Sequence, residues 1–322
     1  MAENSKIEWT THTFNPWRGC TKVSPGCKNC YAEKLVTQRL KGEWGPGAPR
    51  TRAKPATWAE PLKWNRQAER DGIRPRVFCA SLADWLDDEV PVEWLYDLLA
   101  LIHGTPHLDW LLLTKRPQNW RSRLDAVLAT PARRGMESFA VWLSAWRDQF
   151  GDGAVAPANV WLGTSVEDQT RADERIPQLL EIPARVRFLS CEPLLGPVTL
   201  PIGKVMTGFP KHITKDGHAV GAPLAIHWVI AGGESGPGAR PIHPDWARSL
   251  RDQCAAAGTA FFFKQWGEWL PDGQLMMAWE ASRVVRAERL LLDGHRVVRV
   301  GKKAAGRDLD GITHDAVPLN GL

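Results

Sequence analysis

No stretch of this 322-residue chain stays apolar for the roughly 20 residues that would cross a bilayer, and the N-terminus carries no apolar signal region. The expectation is a cytoplasmic protein in a reducing compartment, with no membrane partner. Cysteine is sparse: six residues in a chain of this length are too few for a disulfide scaffold, which a reducing compartment also disfavours. There is no internal repeat at a solenoid period, no low-complexity tail and no dinucleotide-type glycine turn. What remains is an ordinary globular composition, 43% hydrophobic, with enough length for one large domain or two modest ones.

Two features stand out against that background. Residues 16–76 hold 14 Lys/Arg against 5 Asp/Glu, so the excess positive charge is concentrated early in the chain. Such a segment suits a polyanionic partner, or is simply a solvated basic face. The seventeen tryptophans can stack on bases or fill a core. "RTRAKPATWAEPLKWNR" (Arg50 to Arg66) fits both patterns: it reads as a surface tracking a phosphate backbone and equally as an amphipathic helix with buried tryptophans.

Six runs each open with about five strand-forming residues and end in a polar cluster. They are "RVFCASLADW", "LDWLLLTKRP", "NVWLGTSVED", "VRFLSCEPL", "IHWVIAGGESG" and "TAFFFKQWGEW". Their largely apolar character is that of strands buried on both faces. Helix-patterned segments such as "PVEWLYDLLALIHG", "ADERIPQLLEI" and "HPDWARSLRDQCAAAG" lie between several of them. Strand alternating with helix predicts an α/β fold, a full or partial (β/α) TIM-type barrel, with its active site on the loops after the strands. The expected barrel covers residues 1–270, with a cysteine loop at 15–33 and irregular insertions at about 39–72 and 203–223. Residues 271–322 are expected to add a β-hairpin, turning at Asp293-Gly294, packed on the barrel.

Cys20, Cys27 and Cys30 fall within eleven residues of "NPWRGCTKVSPGCKNCYAE", whereas Cys79, Cys191 and Cys254 stand far apart. Structural zinc takes four ligands, so a zinc site here has to borrow a fourth from His12, His103 or a distant cysteine. Gly19, Pro25 and Gly26 allow a tight wrap with backbone amides turned inward, which suits a sulfide-bearing cluster. Three thiolates on a cubane 4Fe-4S cluster leave one iron open, as in a catalytic metal site. Ahead of barrel units, such a loop points to S-adenosylmethionine bound at the open iron, where one electron cleaves the sulfonium to a 5′-deoxyadenosyl radical. On the cysteines alone, zinc and iron–sulfur both remain open.

"TFNPWRGCTKVSPGCKNCYAE", "FLSCEPLLGP", "GGESGPGARP" and "FFFKQWGEW", in that order and across nearly the whole chain, resemble a family of phage and bacterial proteins. That family carries a three-cysteine motif and a domain of unknown function, and is itself similar to a divergent branch of the radical S-adenosylmethionine superfamily. The resemblance implies a 4Fe-4S cluster on Cys20, Cys27 and Cys30, S-adenosylmethionine as cofactor, and an electron donor such as flavodoxin or ferredoxin. The first gap is longer here than the superfamily's usual C-x3-C-x2-C, and Asn29 stands where an aromatic residue usually precedes the last cysteine.

Radical chemistry on a barrel needs groups to hold the cofactor and the substrate. Ser81, Asp84, Lys115, Ser165 and Glu167 lie at or beyond the ends of the second to fourth strands, and Gly232, Gly233 and Glu234 offer close backbone approach; these are the candidate cofactor-binding residues. Glu192, Lys264 and Cys191 are the candidate catalytic side chains, Cys191 as a hydrogen-atom donor at the end of the fifth strand. The other account of the charged residues is a buried ion-pair layer across the barrel mouth, and of Cys191 a small core residue. The expected substrate is DNA, RNA or a nucleotide, modified or repaired. The main alternative is a non-catalytic, zinc-stabilised nucleic-acid-binding protein. A metal-independent hydrolase with Glu192 or Glu234 as general base ranks below both, because it leaves the cysteines without a role.

Overall fold

The computed structural model describes residues 5–131, 133–148, 156–202, 212–213, 219–220, 225–277 and 289–318. Seven strands form one parallel sheet in chain order: β1 (His12–Phe14), β2 (Arg76–Cys79), β3 (Asp109–Thr114), β4 (Val160–Ser165), β5 (Val186–Cys191), β6 (Trp228–Gly232) and β7 (Ala260–Gln265). Each of the six apolar runs supplies one strand, and His12–Phe14 adds the first. The sheet curls into a half-barrel, with β1 and β7 as its two edges. Among the described residues no helix is long and apolar enough to cross a membrane.

Strand alternation sorts the side chains onto two faces. His12, Val77, Trp110 and Val160 are register partners in turn, and so are Thr13, Phe78, Leu111, Trp161 and Val186. Val77, Trp110 and Val160 belong to the large core between sheet and helices, which also takes in Cys79, Cys191 and Cys254. Phe78, Leu111, Trp161 and Val186 belong to a smaller cluster on the concave face, with Trp9, Phe188, Trp228 and Phe262. This aromatic plug fills the amino-terminal half of the concave face. Phe188 fits there because Gly163 beside it has no side chain: a Cβ would lie 2.4 Å from the Phe188 ring.

The helices on the outer face are α1 (Pro55–Asp71), α2 (Val92–His103), α3 (Trp120–Leu128), α4 (Glu137–Arg147), α5 (Gln169–Glu181) and α6 (Pro244–Ala257). Half of the irregular insertion expected over about 39–72 is α1. Pro55 sits at its first turn, where proline costs no hydrogen bond, and Gly72 closes it in the left-handed conformation at φ 65°. Pro61, Trp64 and Ala68 form its buried stripe, so the tryptophans of "RTRAKPATWAEPLKWNR" face the core. Asp168 caps α5 by accepting from the Arg171 N–H at 2.8 Å. The insertion expected at 203–223 lies outside the described residues except for 212–213 and 219–220, which pair antiparallel.

Beyond β7, β8 (Trp269–Pro271), β9 (Arg289–Leu292) and β10 (His295–Arg299) make a small antiparallel sheet in the order β8-β10-β9. β9 and β10 pair across Asp293-Gly294, where both residues have positive φ.

Candidate active site

At the carboxyl end of the half-barrel six of the seven strands, and the loop after β6, line a cavity of about 880 Å³. Its walls include Asn15, Ser81, Lys115, Ser165, Glu192, Glu234, Lys264 and Gln265, with Cys20, Cys27 and Cys30 on the loop that follows β1. That loop closes a single 3-10 turn over Pro25–Cys27, and the Cys27 N–H donates to the Ser24 carbonyl at 2.9 Å. All three cysteines are half-buried free thiols.

Three carboxylates from three different strand ends hold this loop. Asp84, after β2, pairs with Arg116 at 3.1 Å, and Arg116 in turn donates to the Thr21 carbonyl at 2.8 Å and to Cys20 Sγ at 3.5 Å. Glu167, after β4, accepts from the Gly26 N–H at 3.2 Å, while Arg175 holds its other oxygen at 2.9 Å. Glu234, after β6, accepts from the Asn29 amide at 2.8 Å and from Arg240 at 2.6 Å; Arg240 also donates to the Pro25 carbonyl at 3.1 Å. Each cysteine is thus flanked by one anchored contact. The long first gap is not slack, because Thr21, Pro25 and Gly26 are all tied down. Asn29 has its own task in place of the usual aromatic.

Burial opposes the charge on Glu167 and Glu234, yet both lie below the ordinary carboxyl value. Lys115 and Arg175 outweigh it at Glu167, and Arg240 with Asn29 at Glu234. Burial also pushes the Cys20 thiol up to about 12; Asp84 adds to the rise and Arg116 offsets part of it. The Cys30 thiol is raised as well, chiefly by burial. A metal taking these ligands therefore displaces protons from the thiols.

Of the expected cofactor-binding residues, several turn out to serve the protein itself. Asp84 is buried and accepts from the Leu86 and Lys115 N–H groups, the Thr114 hydroxyl and Arg116, which leaves little acceptor capacity for a ligand. Glu167 and Glu234 are committed to the loop. A Cβ on Gly233 would lie 2.0 Å from the Trp266 carbonyl oxygen, so that glycine serves the approach of two backbone segments; Gly232, with ordinary contacts around it, has no such need. Ser81 is bonded to the Asn15 side chain at 3.0 Å and its carbonyl accepts from the Tyr31 hydroxyl. Lys115 Nζ donates to Ser165 Oγ at 2.9 Å, facing the cavity.

At the ends of β5 and β7, Lys264 Nζ donates to both oxygens of Glu192 at 2.8 and 2.9 Å, and Gln265 Nε2 donates to the same carboxylate at 3.1 Å. This pair, 17% and 18% exposed, is presented to the cavity. Cys191 is not brought into the site. Alternation puts it on the face opposite Glu192, fully buried in the helix-facing core near Cys254, where burial drives its thiol far up. It cannot reach a substrate in the cavity from there.

The loop offers three thiols as donors, and the fourth ligands expected for a closed zinc site lie elsewhere. His12 stacks on Trp64 with ring centroids 4.4 Å apart, His103 packs against Phe139 and Trp142, and Cys79, Cys191 and Cys254 lie in the helix-facing core. None of the expected fourth zinc ligands is at the loop. Among the described residues, the trio of ligand side chains whose donor atoms all lie within 4.8 Å of one another is elsewhere: His243, Asp245 and His295.

Arg116, Arg240 and Asn15 had not been singled out from the sequence. Arg116 directly follows Lys115, Arg240 lies within "GGESGPGARP" and Asn15 opens "NPWRGCTKVSPGCKNCYAE", so all three belong to the motif stretches, but no spacing signals their roles.

The fold and the site define a class: an α/β half-barrel whose mouth joins a three-cysteine loop to a carboxylate–ammonium pair. Residues 4–318 match the family model described as a protein of unknown function (DUF5131), and the chain belongs to that family. No curated protein and no solved structure matches it.

Proposed function

We propose that this protein is a radical S-adenosylmethionine enzyme whose 4Fe-4S cluster is held by Cys20, Cys27 and Cys30. The observation that carries the proposal is a preorganised three-thiol loop with no fourth cysteine or histidine beside it among the described residues, facing a polar cavity of about 880 Å³ at the carboxyl ends of parallel strands. When bound, the cluster supplies the electron, from a carrier such as flavodoxin or ferredoxin, that cleaves the cofactor's sulfonium to a 5′-deoxyadenosyl radical. The chain's own residues position the reactants. Lys115, Ser165, Glu192 and Lys264 offer charged and hydroxyl contacts along the wall, and the aromatic plug beneath closes the floor to water. The TIM-type character of the half-barrel and the phage association of the family belong to the same proposal.

The substrate class we propose is a nucleotide or nucleic acid. Support comes from the cavity walls, where Lys6, Lys22, Lys115, Arg116, Lys264 and Lys302 stand against four acidic side chains. The tryptophans of Arg50 to Arg66 do not add to it, since they face the core.

Anaerobic purification followed by iron, sulfide and zinc analysis tests the assignment. The expected result is about four irons and four sulfides per chain with thiolate-to-iron absorption. Zinc at about one per chain with no such absorption overturns it and favours the zinc-stabilised binding protein.

A further inference from the structure

Arg116 is almost completely buried and its guanidinium touches three different groups. Nη1 donates to Asp84 at 3.1 Å and to Cys20 Sγ at 3.5 Å, and Nη2 donates to the Thr21 carbonyl at 2.8 Å. Burying a guanidinium is costly, and Asp84 meets that cost: its carboxylate is itself buried and fixed by three further donors. The pair is neutral as a unit. It therefore brings no net charge to the loop, but it does bring a directed N–H to one ligand sulfur and a second N–H to the carbonyl of the next residue.

From this geometry we infer that Arg116 is a positioning residue for the metal centre: it fixes Cys20 on the loop and, through its N–H···S bond, raises the centre's reduction potential. The inference rests on the iron–sulfur assignment proposed above. A donor on a ligand sulfur withdraws electron density from it and stabilises the reduced, more negative state of a cluster, and such hydrogen bonds are among the levers that set cluster potentials. The other two sulfurs meet neutral donors. Among the described residues Cys27 has the Ser24 hydroxyl at 3.8 Å and Cys30 the Ala32 and Glu33 backbone N–H groups, so Cys20 is the ligand that receives a guanidinium N–H.

Removing Arg116 alone would leave Asp84 buried without its partner, so the test uses two charge-conserving variants. Asp84→Asn/Arg116→Met removes both charges and the N–H···S bond together. Arg116→Lys keeps the charge but cannot bridge Asp84, Thr21 and Cys20 with one planar fork. Iron content and an EPR-monitored redox titration are measured on each, alongside wild type, without substrate. The expected result for the double variant is retained iron and a midpoint moved down, so that at the wild-type midpoint the oxidised-to-reduced ratio rises at least tenfold, about 59 mV for a one-electron couple. Arg116→Lys falls between that and wild type. Both variants holding the cluster at the wild-type midpoint overturns the inference while leaving the function standing. A wild-type chain that holds zinc and no iron overturns the function, and the inference with it.

Discussion

Asn29 Nδ2 lies 2.8 Å from Glu234 Oε2 and 2.7 Å from the Gly238 carbonyl oxygen, so the residue just before Cys30 is moored to the end of β6, 205 positions away in the chain. A bond from a neutral amide to a carboxylate contributes about 1.5–3 kcal/mol. Asn29→Ala should loosen the Cys30 end of the loop while leaving the sheet intact: bound metal per chain falls on dialysis and far-UV circular dichroism is unchanged. Asn29→Asp, nearly the same shape, sets a second carboxylate against Glu234 and should lose metal more readily than Ala. Equal retention in all three proteins would show that this tether does not matter to the site.

Much of the architecture was legible because buried parallel strands leave a strong one-dimensional trace. "LDWLLLTKRP" and "NVWLGTSVED" announce both the strand and the polar group at its end, and Lys115 and Ser165 duly meet across the cavity. Less visible was which face a residue takes at the strand terminus. Cys191 and Glu192 are neighbours in sequence, yet alternation sends one into the helix layer and the other into the cavity. The division of the carboxylates between anchoring and substrate was hidden as well. It depends on Arg116 and Arg240, which reach the cysteine loop, and on Arg175, which meets Glu167 eight residues before it; none of these spacings leaves a periodic signal. Pro61 and the glycines flanking α1 disguised a helix as an irregular insertion.

Glu167 gives the loop a pH dependence with a definite sign. Its folded value is depressed below the ordinary 4.5, so its stabilisation is fully present above that value and is lost as pH falls through the folded value. Glu167→Gln breaks a buried pair with Arg175 and should cost about 3 kcal/mol near neutral pH. Thermal unfolding of both proteins down to about pH 3 should show the gap closing at the acid end. A gap that stays constant would mean the carboxylate charge is not its source.

Glu192 and Lys264 are only 18% and 17% exposed, so removing either leaves its partner largely buried and should cost about 1–3 kcal/mol. Glu192→Gln and Lys264→Met should therefore melt a few degrees below wild type with iron content unchanged. Cofactor cleavage, followed as 5′-deoxyadenosine formed with a strong reductant, should drop at least tenfold. Variants that melt early and cleave normally would recast the pair as a structural tie across β5 and β7.

Gly163 tests the plug. A methyl group there points at the Phe188 ring at 2.4 Å, so Gly163→Ala should destabilise by about 1–3 kcal/mol through overpacking. Gly163→Ala/Phe188→Leu makes room for the added group and should recover part of the loss. Denaturant midpoints at an unchanged m-value provide the measurement.

Metal removal separates a catalytic centre from a structural one without any substrate. In a zinc-stabilised domain the metal supplies folding energy outright, and chelation unfolds the chain. Here the loop is already held by Glu167 on Gly26, Arg116 on Thr21, and Glu234 with Arg240 on Asn29 and Pro25. None of these contacts uses a cysteine sulfur. The large core packs between sheet and helices on the far side of the strands, so it owes nothing to a metal at the mouth. Chelation of the purified protein should accordingly bleach its absorption while lowering the melting temperature by only a few degrees, and the loss should reverse on reconstitution with iron and sulfide. Cys20→Ala, Cys27→Ala and Cys30→Ala should each express as folded protein with the same far-UV spectrum. Cooperative unfolding on chelation would instead make the loop part of the folding nucleus, and the three thiols a structural site after all.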